Sequence, residues 1–242
     1  MDRALSRETE GAHGRANDIN QLPRPMIGCA VFDLDGALVD SVPHFTIILN
    51  AMLADRGAAT RLTDPEVRPH ATAGGRPMIA GLLGETCGPI DVALGEFRER
   101  YGAMPTPADS LYPNVRETLA ALKSADIALA VWSNKPQGLC DKVIDDLDLR
   151  RLFDAVVGSG PGVPHKPDPT GYDLALAGAG GTRARSCFVG DSEPDYRAAQ
   201  LAGAPFIMLT YGYGDYTRDW PGAALVSDFA DVAPIILRRF AP

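Results

Sequence analysis

Short apolar runs that stop abruptly at polar or acidic residues recur along this chain, and they constrain its fold more than any other feature. The first, Ile27-Gly28-Cys29-Ala30-Val31-Phe32, ends at Asp33. Runs of that length, bounded by turn signals, fit strands buried on both faces of a parallel sheet. Comparable runs follow at Ile127 to Trp132, Ala155 to Val157, Ser186 to Val189 and Pro205 to Leu209. Helical patterns lie between them, at Asn114 to Ser124, Gln137 to Leu147, Pro169 to Ala179 and Glu193 to Ala202. Strands alternating with helices indicate βαβ units, so the expected fold class is α/β, a doubly wound, Rossmann-like parallel sheet.

Residues 41–111 break this rhythm. They carry helical patterns at Phe45 to Arg56, Pro77 to Leu83 and Val92 to Tyr101, show no strand, and end in the Pro-rich segment Met104-Pro105-Thr106-Pro107. The expected organisation is an α/β core built from 26–40 and 112–242, with 41–111 as a small α-helical cap over the strand ends. Residues 1–25 are polar and lack the apolar stretch of a secretory signal, so they are read as a disordered lead-in. A length of 242 residues suits such a core plus insert, and 45% hydrophobic residues supply enough apolar material for a sizeable core.

The formal net charge of -8 and a pI near 5.0 argue against general affinity for nucleic acid or anionic membranes. A small anionic partner is compatible with that balance only if one cleft concentrates the few cations. Cys29, Cys87, Cys140 and Cys187 are scattered singly, without metal-ligand spacing, and read as reduced, buried thiols of a cytoplasmic protein.

Four motifs carry chemistry. Asp33 and Asp35 stand two apart in Asp33-Leu34-Asp35-Gly36, so their side chains can project to the same side. Two neighbouring carboxylates repel unless a cation joins them or a proton is shared, and Mg²⁺ meets that need. The same residues also describe an Asp-Gly turn closing a strand. Ser133-Asn134-Lys135-Pro136 ends the second strong run with a hydroxyl and an amide before a helix begins around Pro136. This is either an anion site at a helix N-terminus or an ordinary N-cap. Lys166 lies between prolines in Pro164-His165-Lys166-Pro167, and it and Lys135 are two of the chain's four lysines. Gly190-Asp191-Ser192-Glu193-Pro194-Asp195 ends a strand and starts a helix with more acidic charge than capping requires. All four motifs fall at or just after the C-terminal ends of expected parallel strands, where open α/β sheets place their ligands.

In this order, the motifs resemble the haloacid dehalogenase-like superfamily over about residues 26–240, and within it the helical-cap phosphatases. Leu38-Val39-Asp40-Ser41-Val42-Pro43, Leu111-Tyr112-Pro113-Asn114-Val115 and Thr210-Tyr211-Gly212-Tyr213 are similar to bacterial phosphoglycolate phosphatases. The resemblance implies a Mg²⁺-dependent phosphatase that hydrolyses a small phosphate monoester, 2-phosphoglycolate, through an aspartyl-phosphate intermediate. It implies Asp33 as nucleophile and Asp35 as general acid and base. Asp33, the backbone carbonyl of Asp35, and Asp191 are the implied metal ligands. Ser133, the Asn134 backbone and Lys166 are implied to bind the transferring oxygens, while Asp195 supports the metal site and orients Lys166. Ala37 departs from the Thr or Val usual in the family, which bears on rate more than on reaction type.

Two other functions compete. A sugar-phosphate mutase resembling β-phosphoglucomutase has a histidine one position beyond His44, where this chain has Phe45. A non-catalytic Mg²⁺-binding protein on the same fold is expected to lose at least one of Asp33, Asp35, Lys166 or Asp191, and all are present. A Schiff-base hydrolase of the family needs a cap lysine, which 41–111 lacks, and true dehalogenases lack the second aspartate. Substrate choice falls to the cap. There Gly74-Gly75-Arg76-Pro77 reads as a loop that delivers Arg76 to an anionic group before Pro77 starts a helix. Arg68 and His70 are weaker candidates. Oligomeric state is not legible.

Overall fold

The computed structural model describes residues 27–239. The lead-in expected over 1–25 lies outside them. Six strands form one parallel sheet in the order β3-β2-β1-β4-β5-β6. They are β1 (Cys29–Phe32), β2 (Ala128–Pro136), β3 (Ala155–Ser159), β4 (Ser186–Gly190), β5 (Phe206–Leu209) and β6 (Ala224–Val226). This is the doubly wound order, and its switch point lies between β1 and β4, where the connections leave in opposite directions.

Every residue of β1, β4 and β5 is buried, which is why these strands read as continuous apolar runs. Alternate side chains of β1 enter different cores. Ala30 and Phe32 join one cluster, packed against α5 (Val115–Ser124), α6 (Gln137–Asp146) and α9 (Val232–Arg239). Cys29 and Val31 join the other, with Trp132 and Phe188, under α7 (Thr170–Gly178) and α8 (Glu193–Ala202).

Between β1 and α5 the chain forms α1 (Val42–Asp55), α2 (Asp64–Ala71), α3 (Gly75–Leu83) and α4 (Ile90–Ala103). Their buried Phe45, Leu49, Ile79, Leu94 and Phe97 join the cluster that contains Phe32. No single helix among the described residues is long and apolar enough to cross a membrane.

Several local expectations are corrected. The second strand continues through Pro136, so α6 starts at Gln137 with Pro136 as its cap position and no side-chain cap. Ser133 and Asn134 therefore do not cap this helix. Gly75 and Arg76 are already inside α3, which begins before Pro77. Helix α2 is additional to the expected helices: it has Pro69 in its interior and starts with a capping box of Thr63 and Glu66. Cys87 is only half-buried, whereas Cys29, Cys140 and Cys187 are buried; all four are free thiols.

Candidate active site

Asp33 is the first residue past β1, and its backbone N–H still donates to the Val189 carbonyl of β4 at 2.9 Å. The sheet therefore fixes the position of this carboxylate. Lys166 arrives from the loop between β3 and α7, with its Nζ 2.5 Å from Asp33 Oδ1 and 2.8 Å from Asp195 Oδ1. The ammonium also lies 5.0 and 5.1 Å from the ring centroids of Trp132 and Phe188, whose π faces attract a cation. The Lys166 N–H donates to Asn134 Oδ1 at 2.9 Å, so the Asn134 side chain ties the lysine loop to the end of β2.

Asp191 directly follows β4, and its Oδ2 accepts from the Tyr213 N–H at 2.7 Å. The same oxygen lies against glycine backbone: a Cβ on Gly36 would fall 2.3 Å from it, and one on Gly212 2.4 Å. Gly36 also has φ +88°, so a side chain there meets both strain and collision. Asp195 sits in the first turn of α8, where its Oδ2 accepts from the Ser192 N–H at 3.1 Å and the Ser192 hydroxyl at 2.5 Å.

Asp33, Asp191 and Asp195 are all buried and present carboxylate oxygens within 4.8 Å of one another. Burial, reinforced by Asp195 and Asp35 against the pull of Lys166, pushes the Asp33 carboxyl up to about 7. Burial, Asp195 and Asp33 hold Asp191 well above the usual carboxylate range. Burial opposes charge on Lys166, but Asp195 and Asp33 outweigh it and raise its affinity for the proton. Three buried acids against one lysine leave excess negative charge that a divalent cation relieves. An all-oxygen donor set suits a hard ion such as Mg²⁺. Both oxygens of Asp195 are engaged, by Lys166 and Ser192, which leaves Asp33 and Asp191 as the carboxylates fitted to hold such an ion.

The Asp35 side chain lies outside that cluster. Its Oδ1 accepts from Lys135 Nζ at 2.8 Å and from the Ser41 hydroxyl. The Lys135 ammonium also donates to the Tyr101 hydroxyl at 3.3 Å and lies 4.4 Å from the Tyr101 ring centroid. The β2–β3 register is interrupted between Trp132 and Pro136, which sets Ser133, Asn134 and Lys135 apart from the regular ladder. One cavity of about 410 Å³ is lined by Asp33, Asp35, Ser133, Lys135, Lys166 and Asp191 from the sheet end. Phe45, Arg76, Leu94, Phe97 and Tyr101 line its other side, from the helical insert.

The family model described as haloacid dehalogenase-like hydrolase matches residues 30–209. The chain belongs to the haloacid dehalogenase-like hydrolases. A phosphoglycolate phosphatase of Agrobacterium fabrum is 35% identical over 222 residues, covering 89% of this chain and 95% of that protein. One from Pseudomonas syringae pv. tomato is 34% identical over 190 residues, covering 76% and 69% respectively. Among crystal structures, a predicted phosphoglycolate phosphatase from Haemophilus somnus 129PT matches with a TM-score of 0.74 at 29% identity, covering 87% of this chain and 98% of that one. CbbY from Rhodobacter sphaeroides in complex with phosphate matches with a TM-score of 0.70 at 26% identity, covering 85% and 96%.

In this hydrolase the fold brings Asp33, Asp35, Ser133, Asn134, Lys166, Asp191 and Asp195 to one cavity, although they span more than half the chain. Arg76 also lines it, but its side chain is 54% exposed and paired with Asp91. Arg68 does not line the cavity; it pairs with Asp40 at 2.7 Å and lies over the Tyr213 ring. His70 faces Gly81 of α3. His44 is buried against Tyr101, and its neighbour Phe45 takes the place facing the cavity. The structure adds Lys135 and Ser41 as partners of Asp35, and Tyr101 as the second partner of Lys135, which the motifs alone do not identify. Lys135 carried the only signal, as a scarce lysine inside a motif.

Proposed function

We propose that this phosphoric monoester hydrolase is a Mg²⁺-dependent phosphatase that acts on 2-phosphoglycolate through an aspartyl-phosphate on Asp33. The observation that carries the reading is the separation of two carboxylates in one cavity. Asp33 belongs to the lysine-bridged acidic cluster, whereas Asp35 faces Lys135 and Ser41 outside it. This separation supports Asp33 as the nucleophile and Asp35 as the proton carrier on the leaving-group side. The curated relatives named phosphoglycolate phosphatase support the substrate class.

Asp33 and Asp191, with the Asp35 backbone carbonyl, are the groups that would hold Mg²⁺, and the bound ion offsets repulsion between an anionic nucleophile and a phosphate dianion. The Ser133 hydroxyl, the Asn134 backbone and the Lys166 ammonium receive the phosphoryl oxygens, stabilising charge that spreads over them in the transition state. A carboxylate oxygen of Asp33 bonds to phosphorus as the ester P–O bond breaks, and Asp35 delivers a proton to the departing alkoxide. Asp35, now ionised, takes a proton from water as that water attacks phosphorus, releasing phosphate and restoring Asp33. Asp195 keeps Lys166 aimed at Asp33. Residues 41–111 act as a cap that closes over the cavity, with Arg76 at its rim.

Hydrolysis of a panel of phosphorylated metabolites, with and without EDTA and added Mg²⁺, tests this reading. Phosphoglycolate is expected to give the highest kcat/KM among them, and activity is expected to vanish with chelator and return with Mg²⁺. Full activity in excess EDTA removes the metal from the proposal. Preference for a larger ester removes the substrate.

A further inference from the structure

Lys135 is a lysine taken out of water without an obvious need for it. Its side chain is 6% exposed, and it reaches from the end of β2 to Asp35 and to Tyr101 of α4, where core and insert meet. Among the described residues, Asp35 and the Tyr101 hydroxyl are the acceptors of its hydrogen bonds. An ammonium has three N–H donors, so one remains for a ligand in the cavity that Lys135 lines.

Covalent geometry says what that ligand group is. To protonate the leaving group, Asp35 must approach the ester oxygen to about 2.6–3.2 Å. Lys135 Nζ already touches the same carboxylate at 2.8 Å, so the ammonium and the ester oxygen share Asp35 as a neighbour. In 2-phosphoglycolate a single methylene joins the ester oxygen to the carboxylate carbon, a path of two bonds of roughly 1.5 Å each. A carboxylate on so short a tether stays within a few ångströms of the ester oxygen, and so beside the Asp35–Lys135 pair. Arg76 lines the same cavity, but its side chain is 54% exposed and paired with Asp91. Lys166 is committed to the nucleophile side, with Asp33 and Asp195.

We propose that Lys135 is the specificity-determining cation of this site, receiving the carboxylate of a two-carbon leaving group while Asp35 protonates the ester oxygen. The inference rests on the phosphatase reading and on Asp35 as its acid. The rings of Phe45 and Tyr101, 5.3 and 4.4 Å from the ammonium at their centroids, wall this pocket on the insert side. They limit the length of leaving group that it accepts. A carboxylate bound there meets a desolvated cation, where a charge-assisted hydrogen bond is stronger than at the exposed rim.

The test compares 2-phosphoglycolate with 2-hydroxyethyl phosphate, which replaces the carboxylate by a neutral hydroxymethyl group, on wild type, Lys135→Met and Lys135→Arg. Wild type is expected to prefer phosphoglycolate. Lys135→Met is expected to lose at least about tenfold more kcat/KM on phosphoglycolate than on the neutral ester, as for a lost charged hydrogen bond. Lys135→Arg is expected to keep most of the preference. If wild type shows the preference and Lys135→Met keeps it, or loses both activities equally, the inference fails while the substrate reading stands, and Arg76 becomes the cation to examine. If wild type hydrolyses both esters with no preference, both fail. Should Lys135→Met not fold by circular dichroism, Lys135→Gln is read in the same way.

Discussion

The Lys166 ammonium lies 2.5 Å from Asp33 Oδ1, with only 2% of the lysine side chain and 10% of the aspartate side chain exposed. A buried ion pair of this kind gains little over an apolar pair of the same shape, but removing one partner leaves an uncompensated charge. Here the cost is compounded, because Lys166 also bridges to Asp195 at 2.8 Å. The lysine thus holds Asp33 and Asp195 together through one atom.

Lys166→Met should therefore separate stability from catalysis. At pH 8 without metal, loss of the shared cation should cost about 3–5 kcal/mol. At pH 5 the deficit should shrink, because Asp33, whose pKa burial already raises, takes up a proton. Urea denaturation at the two pH values reads this. Activity should fall by on the order of 10²–10³ through the lost phosphoryl contact. An equal stability loss at both pH values would contradict the charge argument.

A second prediction concerns pH in the metal-free protein. Burial raises Asp33 to about 7 and Asp191 well above its ordinary value. A carboxyl with a raised folded-state pKa binds its proton more tightly when folded. Its contribution to stability is full below the unfolded value of about 4 and is lost as pH rises through about 7. His44, lowered by burial, works in the opposite direction, its contribution being lost as pH falls below 6.5. Comparison with Asp33→Asn isolates the cluster: in EDTA, the stability advantage of the variant should grow between pH 4 and pH 7.5. Added Mg²⁺ should stabilise wild type more at pH 7.5 than at pH 5. Parallel stability profiles for the two proteins in EDTA would show that Asp33 binds its proton equally in the folded and unfolded states, contradicting the raised value.

How much of this was legible in the sequence follows from what each signal depended on. Strands buried on both faces need uninterrupted apolar residues, so β1 and β4 could be read directly, and the acids at their ends with them. The helix Glu193–Ala202 was legible to the residue because Ser192 starts it and Gly203, at φ +68°, stops it. Strand β6 is three residues long with an exposed Leu225, and helix α2 contains Pro69, so neither carries a strong periodic signal. The four motifs could be placed at one sheet edge from topology alone. The contacts from Asp35 to Lys135 and on to Tyr101 could not, because Lys135 lies 100 residues from Asp35 and Tyr101 belongs to a helix whose docking angle no local pattern encodes. For the same reason Arg76 looked like a delivered cation, when its nearest acid is Asp91 on the adjoining helix α4.

Gly36 offers a test of how Asp191 is seated. A Cβ there would fall 2.3 Å from Asp191 Oδ2 and 2.8 Å from its Cγ, at a backbone φ of +88°. Gly36→Ala should displace the carboxylate and strain the turn, costing on the order of 1–3 kcal/mol for the backbone conformation. Mg²⁺ binding followed by isothermal calorimetry should weaken, even at temperatures where circular dichroism reports a folded protein. Unchanged Mg²⁺ affinity in a folded Gly36→Ala variant would show that Asp191 does not need this position to hold the ion.

The division of labour between Asp33 and Asp35 gives the sharpest kinetic test, because the proposed roles of Asp35 fall in two different steps. As general acid it matters in proportion to how poor the leaving group is. An alkyl ester such as phosphoglycolate needs the proton, whereas p-nitrophenolate departs without one. As general base it activates water in the second step whatever the leaving group was. In Asp35→Asn, hydrolysis of an alkyl ester should therefore fall by about 10²–10⁴, the usual worth of a positioned proton carrier. With p-nitrophenyl phosphate the first step should survive while the second stalls. Rapid mixing should then show a burst of nitrophenolate approaching one equivalent per active site, followed by slow turnover, with phosphate retained on the protein. Asp33→Asn should show neither burst nor turnover. A linear time course without a burst in Asp35→Asn, with alkyl and aryl esters slowed by the same factor, would mean that the Lys135–Asp35 pair holds the cavity together and that the proton travels by another group.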